Sequence, residues 1–297
     1  MINTAAAASP FACVLDIGAA LGESPVWSVD EQVLYFVDIR APSLNRFDPA
    51  SGRNVTMPMP SSIGCVALRQ RGGFIVALRD GVWLAERDGT LMRKVSAAPY
   101  DPAHHRFNDG RCDLQGRFFA GSMNEQHDGA SAQLVRIDAD FTLTEVLRGM
   151  TISNGLAWSP DGRTMYHADT STRTIRAFDY DAATGTPSAP RVFAAFSGAT
   201  ERPDGGAVDS AGNYWSAFYR GGKVVKLSPR GELLAEYAVP AMCPTMCAFG
   251  GPELRTLYVT SARHGRADDE LAGYPQSGGV FAMQVDTPGR PEPRFAG

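Results

Sequence analysis

Four side chains that carry oxygen donors, Glu23, Asn108, Asn154 and Asp204, open near-identical phrases at separate places in the chain. Two carboxylates and two amides form an oxygen-rich set with a formal charge of −2, if the fold brings them onto one axis. Such a set suits a hard divalent cation, Ca²⁺, Mg²⁺ or Mn²⁺, and is within the range of Zn²⁺ and Fe²⁺. No His or Cys occupies these slots, so a structural zinc site is not indicated. Asn154-Gly155 and Asp204-Gly205 also have the composition of plain turns. The shared register is what sets the four residues apart as a group. Arg106, two residues before Asn108, adds a fork of donors suited to hydroxyls or a carboxylate.

These residues are held in a repeat. Six copies of one phrase begin at Glu23, Gly64, Asn108, Asn154, Asp204 and Thr245, with successive starts 41 to 50 residues apart. Each copy runs through a short apolar stretch, a turn rich in Gly, Asp and Pro, and a β-rich stretch such as Val33–Val37 or Thr256–Thr260. A third run follows in every copy and a fourth in several. Helical periodicity over a dozen residues is absent. Six units of about four short strands, at a period of about 40 to 50 residues, predict an all-β, six-bladed propeller of antiparallel sheets. The segment Ala12–Asp16 is expected to supply the outer strand of the last blade beside Phe281–Val285, closing the ring and leaving no long edge. Four residues into each phrase stand Trp27, Leu68, Cys112, Trp158, Val208 and Phe249, which are expected to pack between blades. No linker breaks the pattern, so residues 1–297 read as one domain, with residues 1–11 as a flexible extension.

Composition narrows the function classes. The chain has 297 residues, 44% hydrophobic and 20% charged, with a net charge of −4. No basic patch offers a footprint for nucleic acid. No apolar run reaches the roughly 20 residues of a membrane helix. The N-terminus lacks the basic start of a secretory signal. Five scattered cysteines without a CxxC pair point to a reducing, cytoplasmic compartment. No GxSxG elbow supports a serine nucleophile. A closed ring needs no partner, so a monomer is expected.

The phrases themselves resemble the SMP-30/gluconolactonase/LRE family, also called the regucalcin family. The resemblance rests on LGESPVWS, YFVDI with LNRFDPASG, RFNDGRCD with GRFFAGSM, SNGLAWSPDGRTMYHADT, PDGGAVDSAGNYWSAFYRGGKVVKLSP and CAFGGPELRTLYVTSAR, in one order from Gly22 to Arg263. GYPQSGGVFAM resembles the bacterial sugar-lactonase branch. The resemblance implies a six-bladed propeller with one divalent metal that hydrolyses sugar-acid lactones. It carries the metal ligands onto Glu23, Asn154 and Asp204, and substrate contacts onto Arg106 and Asn108. A further contact after GSM falls on Gln126 by ungapped count, with Glu125 adjacent. Asp204 is the expected general base, able to hold a water beside the metal. Two other readings stay open: a related propeller esterase or organophosphate hydrolase, and a non-catalytic calcium-binding regulator.

Overall fold

The computed structural model describes residues 9–297. Six four-stranded antiparallel sheets form the six blades of a propeller. Their inner strands are Gly22–Ser28, Ile63–Leu68, His105–Cys112, Ser153–Trp158, Arg202–Val208 and Pro244–Gly250, in blades I to VI. Each packs against the inner strands of the blades before and after it, and the last meets the first. In blade VI the outer strand is Ala12–Leu15, paired antiparallel with Val280–Gln284, so both ends of the repeat close the ring as expected.

Burial explains why the inner strands read so clearly. All seven residues of Gly22–Ser28 and all seven of Pro244–Gly250 are buried. Such strands pack on both faces and need apolar runs rather than alternation. Outer strands such as Arg53–Pro58 and Leu91–Ala97 are largely solvent-facing. That is why a fourth run was legible in only some copies.

Six apolar clusters fill the six junctions between blades. Trp27, Leu68, Cys112, Trp158, Val208 and Phe249 are all buried. Trp27 of blade I stacks on Tyr258 of blade VI at 5.6 Å, and Trp158 meets Phe119 of the preceding blade edge-on at 5.0 Å. Both are favourable aromatic geometries.

Three features depart from the sequence reading. Residues 1–8 of the expected extension lie outside the described residues. Phe11 is buried in the junction of blades V and VI, and Ser9 Oγ donates to the Ala238 carbonyl at 2.6 Å, so docked chain begins before strand Ala12–Leu15. One short exposed helix, Asp268–Gly273, interrupts the last blade; its acidic first turn, Asp268 to Glu270, suits a helix N-terminus. Finally, the chain beyond the last strand forms a strap across the ring. It bonds to blade V at Ser210 N–Pro288 O (2.9 Å), to blade II at Phe295 N–Leu68 O (2.8 Å), and to blade III at Ala296 N–Gly116 O (2.9 Å). Phe295 is fully buried in the junction of blades II and III. No helix is long and apolar enough to cross a membrane among the described residues.

Candidate active site

All six inner strands share one irregularity. The register with the neighbouring strand slips between Glu23 and Val26, Ile63 and Cys65, Phe107 and Gly110, Asn154 and Ala157, Pro203 and Gly206, and Pro244 and Cys247. A bulge re-aims side chains that would otherwise alternate across the sheet. Here it recurs at the phrase openings. Asn154-Gly155 and Asp204-Gly205 therefore lie in bulged strands, not in turns. Ser24 takes φ 48°, a left-handed conformation that a non-glycine residue holds only at a cost, directly beside Glu23.

Glu23, Asn108, Asn154 and Asp204 line one cavity of about 210 Å³ at this end of the channel, together with Arg106. The other two register positions are committed elsewhere. A Cβ at Gly64 would sit 2.4 Å from the Phe107 backbone, so blade III leaves no room for a side chain there. Thr245 spends its hydroxyl on the Gly22 carbonyl at 2.5 Å, tying blade VI to blade I next to Glu23.

A hydrogen-bond chain crosses three blades and has only one possible polarity. Arginine can only donate. Arg106 Nη1 donates to Asn108 Oδ1 at 2.8 Å, which turns Asn108 Nδ2 toward Asn154 Oδ1, also at 2.8 Å. Asn154 Nδ2 then donates to Thr170 Oγ1 at 2.7 Å, and Thr170 passes its own proton to the Pro203 carbonyl at 2.9 Å. The last link ends beside Asp204. Asn154 is thereby held by both ends of its amide, and its oxygen keeps one lone pair for another partner. Behind it, Ser153 Oγ meets the buried His167 Nε2 at 2.7 Å.

Electrostatics set the two acids apart. Glu23 and Asp204 are 4% and 6% exposed, and neither forms an ion pair with a basic side chain among the described residues. Burial, then the Asp109 carboxylate, pushes Glu23 up to about 8, against the opposing Ser24 N–H and Arg106. Burial, then Glu23 and Asp109, holds Asp204 well above the usual carboxylate range. Asp109 is itself buried, with one oxygen on Leu156 N at 2.9 Å and Oδ1 without a partner. Two buried carboxylates that repel each other and lack a counter-charge fit a cation between them. No trio of His, Cys, Asp or Glu able to hold an ion occurs among the described residues. An ion here would draw its third protein donor from the amide oxygen of Asn154.

The remaining sequence candidates lie to one side. Glu125 is half-buried and engaged by three arginines: Arg79 at 2.8 Å, Arg106 at 3.5 Å and Arg40 at 3.6 Å. Burial disfavours its charge, but the three guanidiniums outweigh that and hold its carboxyl below the usual range. Gln126 is exposed, and its amide meets His104 Nδ1 at 2.9 Å; neither it nor Glu125 lines the cavity. Sequence reasoning did not single out Arg40, Thr170, Tyr219 or Asp109. Arg40, Thr170 and Tyr219 line the cavity from turns and second strands outside the repeat register.

Comparisons with known proteins agree with this architecture. Residues 21–263 match the SMP-30/gluconolactonase/LRE-like region. A 6-deoxy-6-sulfogluconolactonase of Pseudomonas putida is 48% identical, with 96% of this chain and 98% of that protein covered. A pentonolactonase of Haloferax volcanii is 39% identical, over 94% and 96%. The crystal structure of a calcium-binding protein, regucalcin, from Agrobacterium tumefaciens superimposes with a TM-score of 0.91 at 28% identity, covering 95% of this chain and 96% of that one. With the repeat, the ring and the bulged polar register in place, the chain belongs to the SMP-30/gluconolactonase/LRE-like family.

Proposed function

We propose that this protein is a divalent-metal-dependent lactonase that hydrolyses aldono-lactones to the sugar acids. The observation that carries the reading is the pair of buried carboxylates without a counter-charge, Glu23 and Asp204, beside the fixed amide of Asn154. Glu23, Asn154 and Asp204 would hold the ion, leaving coordination positions for water and substrate. When bound, the ion supplies electrophilic stabilisation of the charge developing on the carbonyl oxygen. The names of the relatives, a sulfogluconolactonase and a pentonolactonase, support the lactone as the substrate class.

Asp204 acts as general base. It takes a proton from the attacking water as the water oxygen bonds to the carbonyl carbon. Collapse of the tetrahedral species breaks the ring C–O bond, and the ring oxygen takes up the proton held by Asp204, becoming a hydroxyl of the open acid and freeing the base. Arg106 is buried and held by Asn108 Oδ1, so its remaining N–H groups form a rigid donor edge that orients the sugar, with Asn108 fixing its position. In this reading the closed ring works as a monomer.

Cation binding without turnover is the second reading, supported by the calcium-binding description of the Agrobacterium relative. One experiment separates the two. Chelated protein is supplied with Ca²⁺, Mg²⁺, Mn²⁺, Zn²⁺ or Fe²⁺ and assayed by acid release on arabinono-, xylono-, glucono- and galactono-lactones against a protein-free blank. Metal-restored turnover above the blank is the expected result. Tight binding of an ion with no excess hydrolysis of any lactone would overturn the lactonase reading.

A further inference from the structure

Beside the cavity, which Arg40 and Arg106 line, stands a cluster of three arginines. Arg40, Arg79 and Arg106 share a single carboxylate, Glu125, and no other acid pairs with any of the three among the described residues. With Glu23 and Asp204 compensated by an ion, three guanidiniums against one Glu125 leave two formal positive charges beside the mouth.

The three arginines are not equivalent. Arg106 is 4% exposed, with Nη1 on the Phe107 carbonyl at 2.9 Å and on Asn108 at 2.8 Å. Arg79 donates to Ser62 Oγ and to the Pro102 and His105 carbonyls, at 3.0 to 3.3 Å. Arg79 is spent on the protein, and Arg106 is fixed in the position from which it orients the sugar. Arg40 makes no side-chain hydrogen bond among the described residues. It stands 3.6 Å from Glu125 with its side chain 43% exposed, and it lines the cavity.

Its backbone, by contrast, is fixed. Arg40 sits in the turn after strand Val33–Asp38, where Asp38 Oδ1 accepts the N–H groups of Leu21, Arg40 and Ala41 at 2.9 to 3.0 Å and Oδ2 accepts Ala20 N at 2.7 Å. A locked turn thus presents a guanidinium held only by a 3.6 Å ion pair with Glu125 to the same cavity as Glu23 and Asp204. The exposed His127 and His264 line that cavity too. Neutral hydroxyls would leave the surplus charge uncompensated as the mouth is desolvated. An oxyanion would neutralise it and offer two oxygens to the planar fork.

We infer that Arg40 forms an anion subsite that selects lactones bearing an ionised substituent, a sulfonate, phosphate or carboxylate, on the carbon remote from the carbonyl. This specificity rests on the lactonase reading above.

The test compares kcat/KM on glucono-δ-lactone with that on its 6-sulfo and 6-phospho counterparts. It uses metal-loaded parent protein, Arg40→Gln and Arg40→Lys, at low and high salt. The parent should prefer the anionic lactones. Arg40→Gln should lower kcat/KM for them by about 10- to 100-fold, the range for one charge-assisted contact, mostly through KM. Glucono-δ-lactone should stay within about 2-fold, since it lacks the group that Arg40 binds. Arg40→Lys should keep part of the preference, and salt should weaken the anionic substrates alone. Turnover of glucono-δ-lactone with the same anionic-to-neutral ratio in parent and Arg40→Gln would overturn the anion subsite while leaving the lactonase standing. Turnover of none of the three by the parent would overturn both.

Discussion

The two ends of the central channel are built from the same six inner strands, yet they are finished in opposite ways. At the end where the strands begin, bulges turn Glu23, Asn108, Asn154 and Asp204 inward, and the acids stay buried without counter-charges. At the end where they leave, the C-terminal strap covers the ring and polar groups are paired. Arg111 meets Glu292 at 2.6 Å with both side chains nearly buried, Arg69 Nε donates to the Gly297 carbonyl at 3.1 Å, and Phe295 seals the junction of blades II and III. One mouth keeps acids without counter-charges and is open to a ligand; the other pairs its charged groups and is covered. In a fold whose blades are near copies, the site comes from leaving one end electrostatically incomplete.

This contrast predicts that substitutions at the two ends will separate activity from stability. The largest effect is expected at the open end. Asp204→Asn or Glu23→Gln should lower kcat/KM on the best lactone by on the order of 10²- to 10³-fold. Thermal midpoints of the metal-free protein should be unchanged or higher, because one of three mutually repelling buried acids, Glu23, Asp109 and Asp204, is gone. Steady-state rates and melting curves on the same samples check this pair of outcomes.

At the closed end the pattern should invert. Phe295→Ala removes a fully buried ring and should cost about 3–5 kcal/mol of stability, read from urea unfolding, with kcat at the parent value. A lower kcat at full folding would mean that the strap takes part in the site.

A pH effect of similar size belongs to the layer under the open end. Burial lowers the His167 imidazole to about 4, well below its ordinary 6.5. Above 6.5 the imidazole is neutral in both folded and unfolded chains, so its full contribution is present. As pH falls toward 4, only the unfolded chain takes up the proton and stability drains away, by roughly 3 kcal/mol at the limit. Unfolding midpoints at pH 7 and pH 4.5 should therefore converge between parent and His167→Gln as acid is added. Parallel losses in the two proteins would contradict the assignment.

The smallest effect is expected from Glu292→Gln, which keeps a hydrogen-bond acceptor for Arg111 but removes the charge. A loss of about 1–3 kcal/mol without a change in KM is the expected outcome.

How much of this was legible follows from where each residue lies in the repeat. The inner strands recur with their bulges and apolar packing positions, so Trp27, Trp158 and Phe249 announced the blade junctions and Glu23, Asn154 and Asp204 announced one shared height. The strap carries no period, since Pro288, Pro291 and Pro293 prevent both strand and helix patterns from forming there. Arg40 and Thr170 lie in the turns between strands, which differ from blade to blade, so no register pointed to them. Glu125 and Gln126 were found by counting along the chain, and counting does not tell which way a loop faces. Asp109 does not open a phrase of the repeat, so no register pointed to it, and only burial reveals an acid that raises both Glu23 and Asp204.

The central claim is that the incomplete end of the channel performs metal-dependent lactone hydrolysis, with Asp204 as its base. Its most direct test is the initial rate of glucono-δ-lactone hydrolysis by Asp204→Asn protein, saturated with the metal that restores the parent and corrected for spontaneous opening. The account predicts a rate at least about 100-fold below the parent in a protein that melts no lower without metal. A parent-like rate at full metal occupancy would contradict it.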